Sequence, residues 1–160
     1  MKEFEQKILK NTSDLQKTLR NWRAEKKSVV FTNGCFDILH LGHVKLLFES
    51  KKLGDKLIVG LNTDYSIKKL KGENRPINNN YNRSLMLSAL SFVDLIVFFS
   101  DPTPIKLIKK ICPDVLTKGA DYNESTIVGA PEVLSQGGII KLIPLVLELS
   151  TTELIKKTKF

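Results

Sequence analysis

The sequence has few of the residues that build disulfide-rich or metal-centred proteins. Its 160 residues include two cysteines, Cys35 and Cys112, and two histidines. The cysteines have no CxxC spacing, so the sequence supports neither a disulfide framework nor a zinc site. We expect both thiols to stay reduced.

Long apolar runs are also missing. The longest runs, residues 94–99 and 139–147, fall well short of the ~20 residues that cross a bilayer. The first residues, MKEFEQK, place acids and bases where a secretory signal has its apolar core. We therefore expect a cytoplasmic protein with no membrane partner.

The composition is that of an ordinary globular protein, and it has an excess of positive charge. Apolar residues make up 42% and charged residues 26%, which argues against disorder and against a coiled-coil rod. Lysine and arginine outnumber the acids 25 to 17, for a net charge of +8. This balance favours a polyanionic partner, either a nucleic acid or a small phosphorylated metabolite, but it is also typical of a solvated lysine-rich surface.

Apolar spacing predicts strands that alternate with helices. Residues 1–27 are predicted to form docking helices, the second of them capped by Ser13 or Asp14. Strands are predicted over 28–32, 56–61, 95–99, 114–117 and 139–143. Further helices are predicted over 44–53, 81–92, 101–110 and 132–135, with a final one over 151–159 capped by Ser150. The polar stretch 68–80 is a candidate active-site loop.

This alternation implies right-handed crossovers and a parallel sheet that is covered on both faces. The predicted fold is α/β, a Rossmann-like doubly wound parallel sheet. No repeat or linker divides the chain, so residues 1–160 are predicted to form one domain. It consists of the docking helices of residues 1–27 and a core of residues 28–160.

The first strand-to-helix turn is the most informative segment. In an open parallel sheet, ligands bind outside the carboxyl ends of the strands, and this turn is the usual floor of the site. Here it spans residues 32–43, TNGCFDILHLGH, and holds both histidines as His40-x-Gly42-His43. Outward-pointing amides over 33–36 and the dipole of the following helix favour a bound phosphate.

The two imidazoles are three residues apart and face the same side, so both can donate to phosphate oxygens. Gly42 has no side chain that would keep a nucleotide away. In the alternative interpretation, His40 caps the turn and His43 packs within the helix. A nucleophilic pair of Cys35 with a histidine is disfavoured, because no third orienting residue is evident.

The turn resembles the HxGH signature of the nucleotidyltransferases of the cytidylyltransferase-like superfamily. Later strings follow in the order seen in D-glycero-β-D-manno-heptose 1-phosphate adenylyltransferases: KGENRPI at 71–77, Arg83, KGADY at 118–122, VGA at 128–130 and STT at 150–152. The resemblance covers roughly residues 13–157. The sequence departs from the family pattern at Ala120 and Leu149, where glycine is common.

The resemblance implies transfer of AMP from ATP to heptose 1-phosphate, giving ADP-heptose and pyrophosphate for lipopolysaccharide core or related heptose glycan synthesis. The sugar phosphate attacks the α-phosphorus in line, without a covalent enzyme intermediate. A phosphate monoester is already anionic at pH 7, so catalysis rests on positioning and charge neutralisation rather than on a strong base. Mg²⁺ is expected to be held mainly by the ATP phosphates and water, and no protein metal ligand is predicted.

The same resemblance assigns roles to single residues. His40 and His43 are the predicted catalytic residues, stabilising the departing pyrophosphate. Nucleotide binding is assigned to Asn33, Gly34, Cys35, Phe36, Asp37, Gly42, Lys118, Gly119, Asp121, Ser150, Thr151 and Thr152. Lys71, Arg75 and Arg83 are the predicted ligands of the sugar phosphate. Asp37 either orients a histidine or the ribose, or caps the local backbone.

The resemblance also bears on the partners of the protein, and other functions stay open. The resemblance implies a homodimer and a separate heptose kinase that supplies the 1-phosphate. The alternatives are a cytidylyltransferase acting on glycerol 3-phosphate or a related alcohol phosphate, an FAD synthetase, and a non-catalytic nucleotide- or nucleic-acid-binding module. The choice of ATP over CTP stays open on the residues alone. No nucleic-acid partner is expected, because the basic segments lack interleaved aromatic residues.

Overall fold

The computed structural model describes residues 1–9, 11–120 and 126–144. In this part of the chain the helices are α1 (Lys2–Glu5), α2 (Thr12–Ala24), α3 (Leu41–Lys51), α4 (Asp64–Lys71), α5 (Asn80–Ser88), α6 (Ile105–Ile111) and α7 (Ala130–Ser135). The strands are β1 (Ile8–Leu9), β2 (Val29–Gly34), β3 (Lys56–Asn62), β4 (Leu95–Phe99), β5 (Val115–Gly119) and β6 (Ile139–Ile143). None of the described helices has the length and apolar character needed to span a membrane.

The strands form one parallel sheet in the order β1-β4-β3-β2-β5-β6. One apolar cluster packs Leu15 of α2 and Ile108 of α6 on one face, and a second packs Leu47 of α3 and Leu87 of α5 on the other. Because both faces are covered, the central strands carry continuous apolar runs rather than an alternating pattern. The predicted doubly wound parallel α/β fold is confirmed.

The strand order reverses at β2, which pairs with β3 on one side and β5 on the other. From β2 the chain order runs outward through β3 and β4 on one side, and from β5 to β6 on the other, so the carboxyl ends of β2 and β5 border a crevice. The turn after β2 therefore lies at the topological switch point of the sheet.

The N-terminal segment differs from its prediction as docking helices. Ile8 and Leu9 form a strand that pairs with Ile96 and Val97 of β4, and the Ile96 amide donates to the Lys7 carbonyl. The spacing of apolar residues suggested helix, but two residues that extend the sheet edge bury their side chains equally well. The cap of α2 is Asn11, which accepts the Asp14 amide, so the prediction of Ser13 or Asp14 as cap was wrong.

The polar stretch predicted as a loop over 68–80 is partly helical. Helix α4 runs to Lys71, and its cap Thr63 accepts the Ser66 amide. Three lysines in its last turn favour helix through the dipole, although they give the sequence a loop-like polarity. Helix α6 begins at Ile105 rather than at residue 101. The predicted helix over 151–159 and its cap Ser150 lie outside the described residues.

Gly60 in β3 lies where neighbouring atoms leave no space for a side chain. A Cβ at this position would lie 2.7 Å from Cζ of Phe31 and 3.1 Å from Cβ of Asn33. Phe31 is fully buried and cannot easily give way. We expect Gly60→Ala to lower the free energy of unfolding by about 1–3 kcal/mol, measured by urea denaturation.

Shortening the opposing ring supplies the control for this prediction. The double variant Phe31→Leu with Gly60→Ala should lose less stability than the sum of the two single variants, because the added methyl group then has space. If the stability losses of the two single variants simply add up in the double variant, the Phe31 ring is not what excludes a side chain at position 60.

Candidate active site

A cleft of ≈ 410 Å³ opens where β2, β3 and β5 end. It collects eight residues of the predicted site: Asn33, Gly34, Cys35, Phe36, Asp37, His43, Lys71 and Lys118. Five further described residues line it: Asn62, Leu70, Phe99, Pro102 and Pro104. The turn predicted to bind phosphate is therefore the floor of a real cavity.

His40 and His43 lie together at the start of α3. Their rings are stacked, with centroids 3.8 Å apart and an interplanar angle of 26°, and the centroid of the Phe36 ring lies 5.0 Å from that of His43. His40 is the N-cap residue of α3, and its carbonyl accepts the Val44 amide at 3.1 Å. Within the described structure, Nδ1 of each ring is buried without a hydrogen-bond partner. Each ring thus has a nitrogen without a partner in the described protein; His43 lines the cleft, whereas His40 is not among the lining residues.

Burial lowers the pKa of His43 to about 4, reinforced by the neighbouring His40 and opposed by a hydrogen bond with the Ile38 backbone. Burial also lowers the pKa of His40. Both rings are therefore neutral at neutral pH. A developing phosphate charge at this site favours proton uptake by the pair, because an adjacent anion raises an imidazole pKa.

The lowered pKa of His43 predicts an acid-sensitive stability. Between about pH 4 and the ordinary value of ~6.5, the unfolded chain binds a proton that folded His43 does not, so stability falls as the pH drops through this window. We expect a loss of about 2–3 kcal/mol from this group, measured by urea unfolding at pH 7, 5.5 and 4.5. His43→Asn should flatten the profile, and an unchanged slope in that variant would contradict the assignment.

Asp37 joins the first turn to the loop after α4. Its carboxylate accepts Nε of Arg75 at 2.6 Å, the Ile77 amide at 2.8 Å and the Asn78 amide at 2.9 Å. Burial acts to raise the pKa of Asp37, but the two amides and the guanidinium outweigh it and the net shift is downward. The carboxylate therefore holds the distant segment of residues 75–78, a role that differs from both of those left open by the sequence.

Arg75 keeps part of its guanidinium unoccupied. Its side chain is 13% exposed, and Nη2 is buried without a partner among the described residues. Arg75 is not among the residues that line the cleft, so its predicted phosphate contact is supported by this unpartnered donor alone. Lys71 ends α4, lines the cleft and is exposed, whereas Gly42 lies in the first turn of α3.

Arg83 is placed differently from its predicted role as a phosphate ligand. The side chain is fully buried, and it donates to the carbonyls of Cys35 and Asn78 and to the side chains of Asp64 and Asn80. It does not line the cleft. The prediction of a direct phosphate contact is corrected, because these partners already use its donors.

Lys118 bridges the two strands at the switch point. Its Nζ donates to the backbone carbonyl of Asn33 at 3.1 Å and to the side-chain Oδ1 of Asn33 at 2.5 Å. Gly119 is the buried last residue of β5, opposite Ile143 of β6. The other predicted nucleotide ligands, Asp121, Ser150, Thr151 and Thr152, lie outside the described residues.

Sequence reasoning missed Asn62, the last residue of β3. Its Nδ2 donates to Oγ of Ser66 at 2.7 Å, and Sγ of Cys35 lies 3.9 Å from its Oδ1. A polar residue at the end of an otherwise apolar strand could have indicated a site residue from the sequence alone. Burial raises the pKa of Cys35, against the effect of nearby cations, so the thiol is protonated at neutral pH and a poor nucleophile.

The described residues contain no group of three or more His, Cys, Asp or Glu side chains that could hold a metal ion. Asp37 is the one carboxylate among the described residues that line the cleft, and its oxygens accept three N–H groups. A divalent cation entering with a nucleotide would therefore take its ligands from phosphate oxygens and water.

Comparison with known proteins gives concordant results. Residues 31–157 match the family described as Cytidylyltransferase-like. The bifunctional protein HldE of Campylobacter concisus (strain 13826) is 52% identical over 156 residues, 98% of this chain and 32% of that protein. HldE of Rhodopseudomonas palustris (strain BisB5) is 47% identical over 97% of this chain and 32% of its own length. The chain thus spans about a third of these relatives.

Two solved structures share the fold. The lipopolysaccharide core biosynthesis protein of Thermoplasma volcanium GSS1 is 32% identical with a TM-score of 0.61, over 75% of this chain and 97% of that one. A pantoate-beta-alanine ligase of Francisella tularensis, solved with β-γ ATP and β-alanine, has a TM-score of 0.65 at 17% identity, over 94% of this chain and 72% of that one. The second likeness concerns the fold alone.

The resemblance inferred from the HxGH turn is thereby confirmed. The family match covers most of the chain, and the turn on which it rests is the floor of the cleft. The chain belongs to the cytidylyltransferase-like family of nucleotidyltransferases.

Proposed function

We propose that this chain transfers AMP from ATP to D-glycero-β-D-manno-heptose 1-phosphate, releasing pyrophosphate and forming ADP-heptose. The observation that carries the proposal is the stacked pair of His40 and His43 beside the phosphate-binding turn, with a buried unpartnered nitrogen on each ring. Family membership supports nucleotidyl transfer, and the KGENRPI and KGADY strings favour the heptose substrate.

The mechanism needs no nucleophile from the protein. The sugar phosphate attacks the α-phosphorus in line, the P–O bond to the β-phosphate breaks, and its electron pair leaves with pyrophosphate. His40 and His43 stabilise the charge that develops on the leaving group, and the amides of the first turn position the triphosphate. No proton has to be removed from the attacking phosphate, because it is already ionised.

The sugar phosphate is assigned to Arg75 and Lys71. Nη2 of Arg75 is buried without a described partner, while Nε is fixed by Asp37 at 2.6 Å. A guanidinium anchored on one edge can present its other edge to a phosphate with little further loss of entropy. Lys71 ends α4, lines the cleft and is exposed, so it supplies a mobile charge. Asp121, Ser150, Thr151 and Thr152 remain predicted nucleotide ligands.

Mg²⁺ belongs to the proposal as the companion of ATP. When bound, it would neutralise the triphosphate and favour departure of pyrophosphate. The cleft offers it no uncommitted carboxylate among the described residues, so the phosphate oxygens are its expected ligands.

A nucleotide panel tests the proposal. The protein is incubated with ATP, CTP or GTP, each with heptose 1-phosphate and Mg²⁺, and pyrophosphate release is measured. We expect release with ATP alone. Turnover with CTP alone, or with glycerol 3-phosphate in place of the sugar, would transfer the assignment to the cytidylyltransferase alternative. Salt-sensitive binding of single-stranded nucleic acid without pyrophosphate release would favour a binding module.

The proposal extends to partners. A kinase activity must supply the 1-phosphate, either from a separate protein or from another part of a longer chain, as the bifunctional relatives suggest. A homodimer and a cytoplasmic location are also proposed. Sedimentation at micromolar concentration tests the dimer, since a sedimenting species of 18.1 kDa would contradict it.

A further inference from the structure

Arg83 is the largest fully buried side chain of the described structure. Burying a guanidinium costs free energy unless the group is paired with an opposite charge and hydrogen-bonded. The partners of Arg83 therefore indicate its role. Nη2 lies 2.7 Å from Oδ1 of Asp64, which supplies the countercharge. The remaining bonds go to Cys35, which lines the cleft, and to Asn78 and Asn80.

These bonds hold the starts of two helices against the first turn. Asp64 of α4 and Asn80 of α5 bind each other through reciprocal backbone-to-side-chain bonds of 2.7 and 3.0 Å, and Nη2 of Arg83 contacts both side chains. Nε donates to the Asn78 carbonyl at 2.9 Å, and Nη1 donates to the Cys35 carbonyl at 2.7 Å. One side chain therefore fixes the first turn relative to α4, α5 and the loop before α5.

The bond to Cys35 determines how the next peptide is oriented. In a planar trans peptide, the C=O and N–H groups point in opposite directions. Because the Cys35 carbonyl is directed at Arg83, the Phe36 N–H is directed away from α5. Phe36 has a φ of 45° and lines the cleft, and its amide has no acceptor among the residues that the structure describes.

We propose that Arg83 is a positioning residue that, by holding the Cys35 carbonyl, presents the Phe36 N–H to a phosphate group of the bound nucleotide. The inference rests on the proposed function only for the identity of the nucleotide, since any polyphosphate has the required acceptor oxygens. Lysine cannot replace arginine in this role, because a single ammonium lacks the fork that reaches Cys35, Asn78 and Asp64 together.

Binding of inorganic tripolyphosphate, measured by isothermal titration calorimetry, tests the inference without using activity. We expect Arg83→Lys to weaken binding by about ten- to a hundredfold, the value of a hydrogen bond to a charged group together with its misplacement. The matched control is Arg23→Lys, because Nη2 of Arg23 donates to the Ile111 carbonyl at 2.6 Å at a point outside the cleft lining. The control should bind like the wild type.

A spectroscopic measurement on the wild type removes the dependence on folding of the variant. Selective ¹⁵N labelling of phenylalanine gives eight amide signals, one of which is that of Phe36. The Phe36 signal should move as tripolyphosphate is added. In a folded Arg83→Lys protein the same signal should start at a different shift and respond much less.

Each outcome either supports or overturns the inference. Binding by folded Arg83→Lys within about threefold of the wild type would overturn the inference, as would a Phe36 signal that stays still in the wild type. If Arg83→Lys does not fold, the wild-type titration decides alone. Failure of the proposed function has a different pattern: the wild type binds tripolyphosphate and Phe36 responds, but ATP and heptose 1-phosphate yield no pyrophosphate.

Discussion

His43→Ala is expected to lower kcat for pyrophosphate release by about 10²–10³, the usual effect of removing one preorganised donor to a developing oxyanion. The ring is held between His40 and Phe36, so its position is fixed before the substrate binds. Because the interaction is made mainly with the leaving group, KM for ATP should change much less than kcat. Initial rates at saturating ATP, Mg²⁺ and heptose 1-phosphate measure the effect.

Further variants provide the controls for the His43→Ala measurement. Lys52→Ala changes a residue just after α3 whose ammonium pairs with Glu49 on the surface, and it should leave kcat unaltered. His40→Ala should resemble His43→Ala, and the double variant should lose less than the product of the two losses because the rings act as a unit. A kcat for His43→Ala within about threefold of the wild type would contradict a role in charge stabilisation.

Asp37→Asn is expected to affect both stability and activity. The wild-type carboxylate is 1% exposed and accepts three N–H groups, one of them from the largely buried Arg75. Neutralising it leaves the Arg75 guanidinium without its countercharge, at a cost of about 3 kcal/mol. For a domain of this size we expect Tm to fall by about 6–12 °C, measured by calorimetry.

The effect of Asp37→Asn on activity has a separate cause. Arg75 would lose the contact that fixes its Nε edge, so its other edge, the proposed donor to the sugar phosphate, would no longer be held in one direction. We expect kcat/KM for heptose 1-phosphate to fall on the order of 10²-fold. Asp101→Asn is the control, because its ion pair with Lys106 is exposed and contributes little. Equal effects of both substitutions would refute the assignment of Asp37.

The pH dependence of Asp37 can be distinguished from that of His43. Because folding lowers the pKa of Asp37, its contribution to stability is present above the ordinary carboxyl range and is lost as the pH falls below about 4. The contribution of His43 is lost at higher pH, between about 6.5 and 4. Acid titrations of the two variants should therefore flatten different parts of the profile.

The sequence predicted the strands better than it predicted the surface helices. Strands β4 and β6 lie within their predicted bounds because apolar β-branched runs have few alternatives in a buried parallel sheet. Helix α4 was missed because charged residues make up much of its exposed face. Strand β1 was missed because two residues give no periodicity. Its pairing depends on a distant segment of the chain, since Ile8 pairs with Ile96 of β4.

The functional site, like the fold, was predicted from the sequence only in part. The HxGH turn was found because residue type, spacing and place in the fold coincide at one segment. The roles of Asp37 and Arg83 were not separable by sequence, because both depend on long-range contacts with residues 75–80 and 64. An arginine near a polar loop has the same sequence signature whether it binds a ligand or holds the loop.

The bond from Lys118 to Asn33 has a consequence for how the enzyme moves. It ties the ends of β2 and β5, the two strands that meet at the switch point of the sheet. We therefore expect these two strand ends to stay together when a ligand enters the cleft. Adjustment to the substrate is left to the outer rim, where Lys71 and the residues after it are exposed. A hydrogen-exchange experiment with nucleotide should accordingly record protection at this rim and little change in the strands.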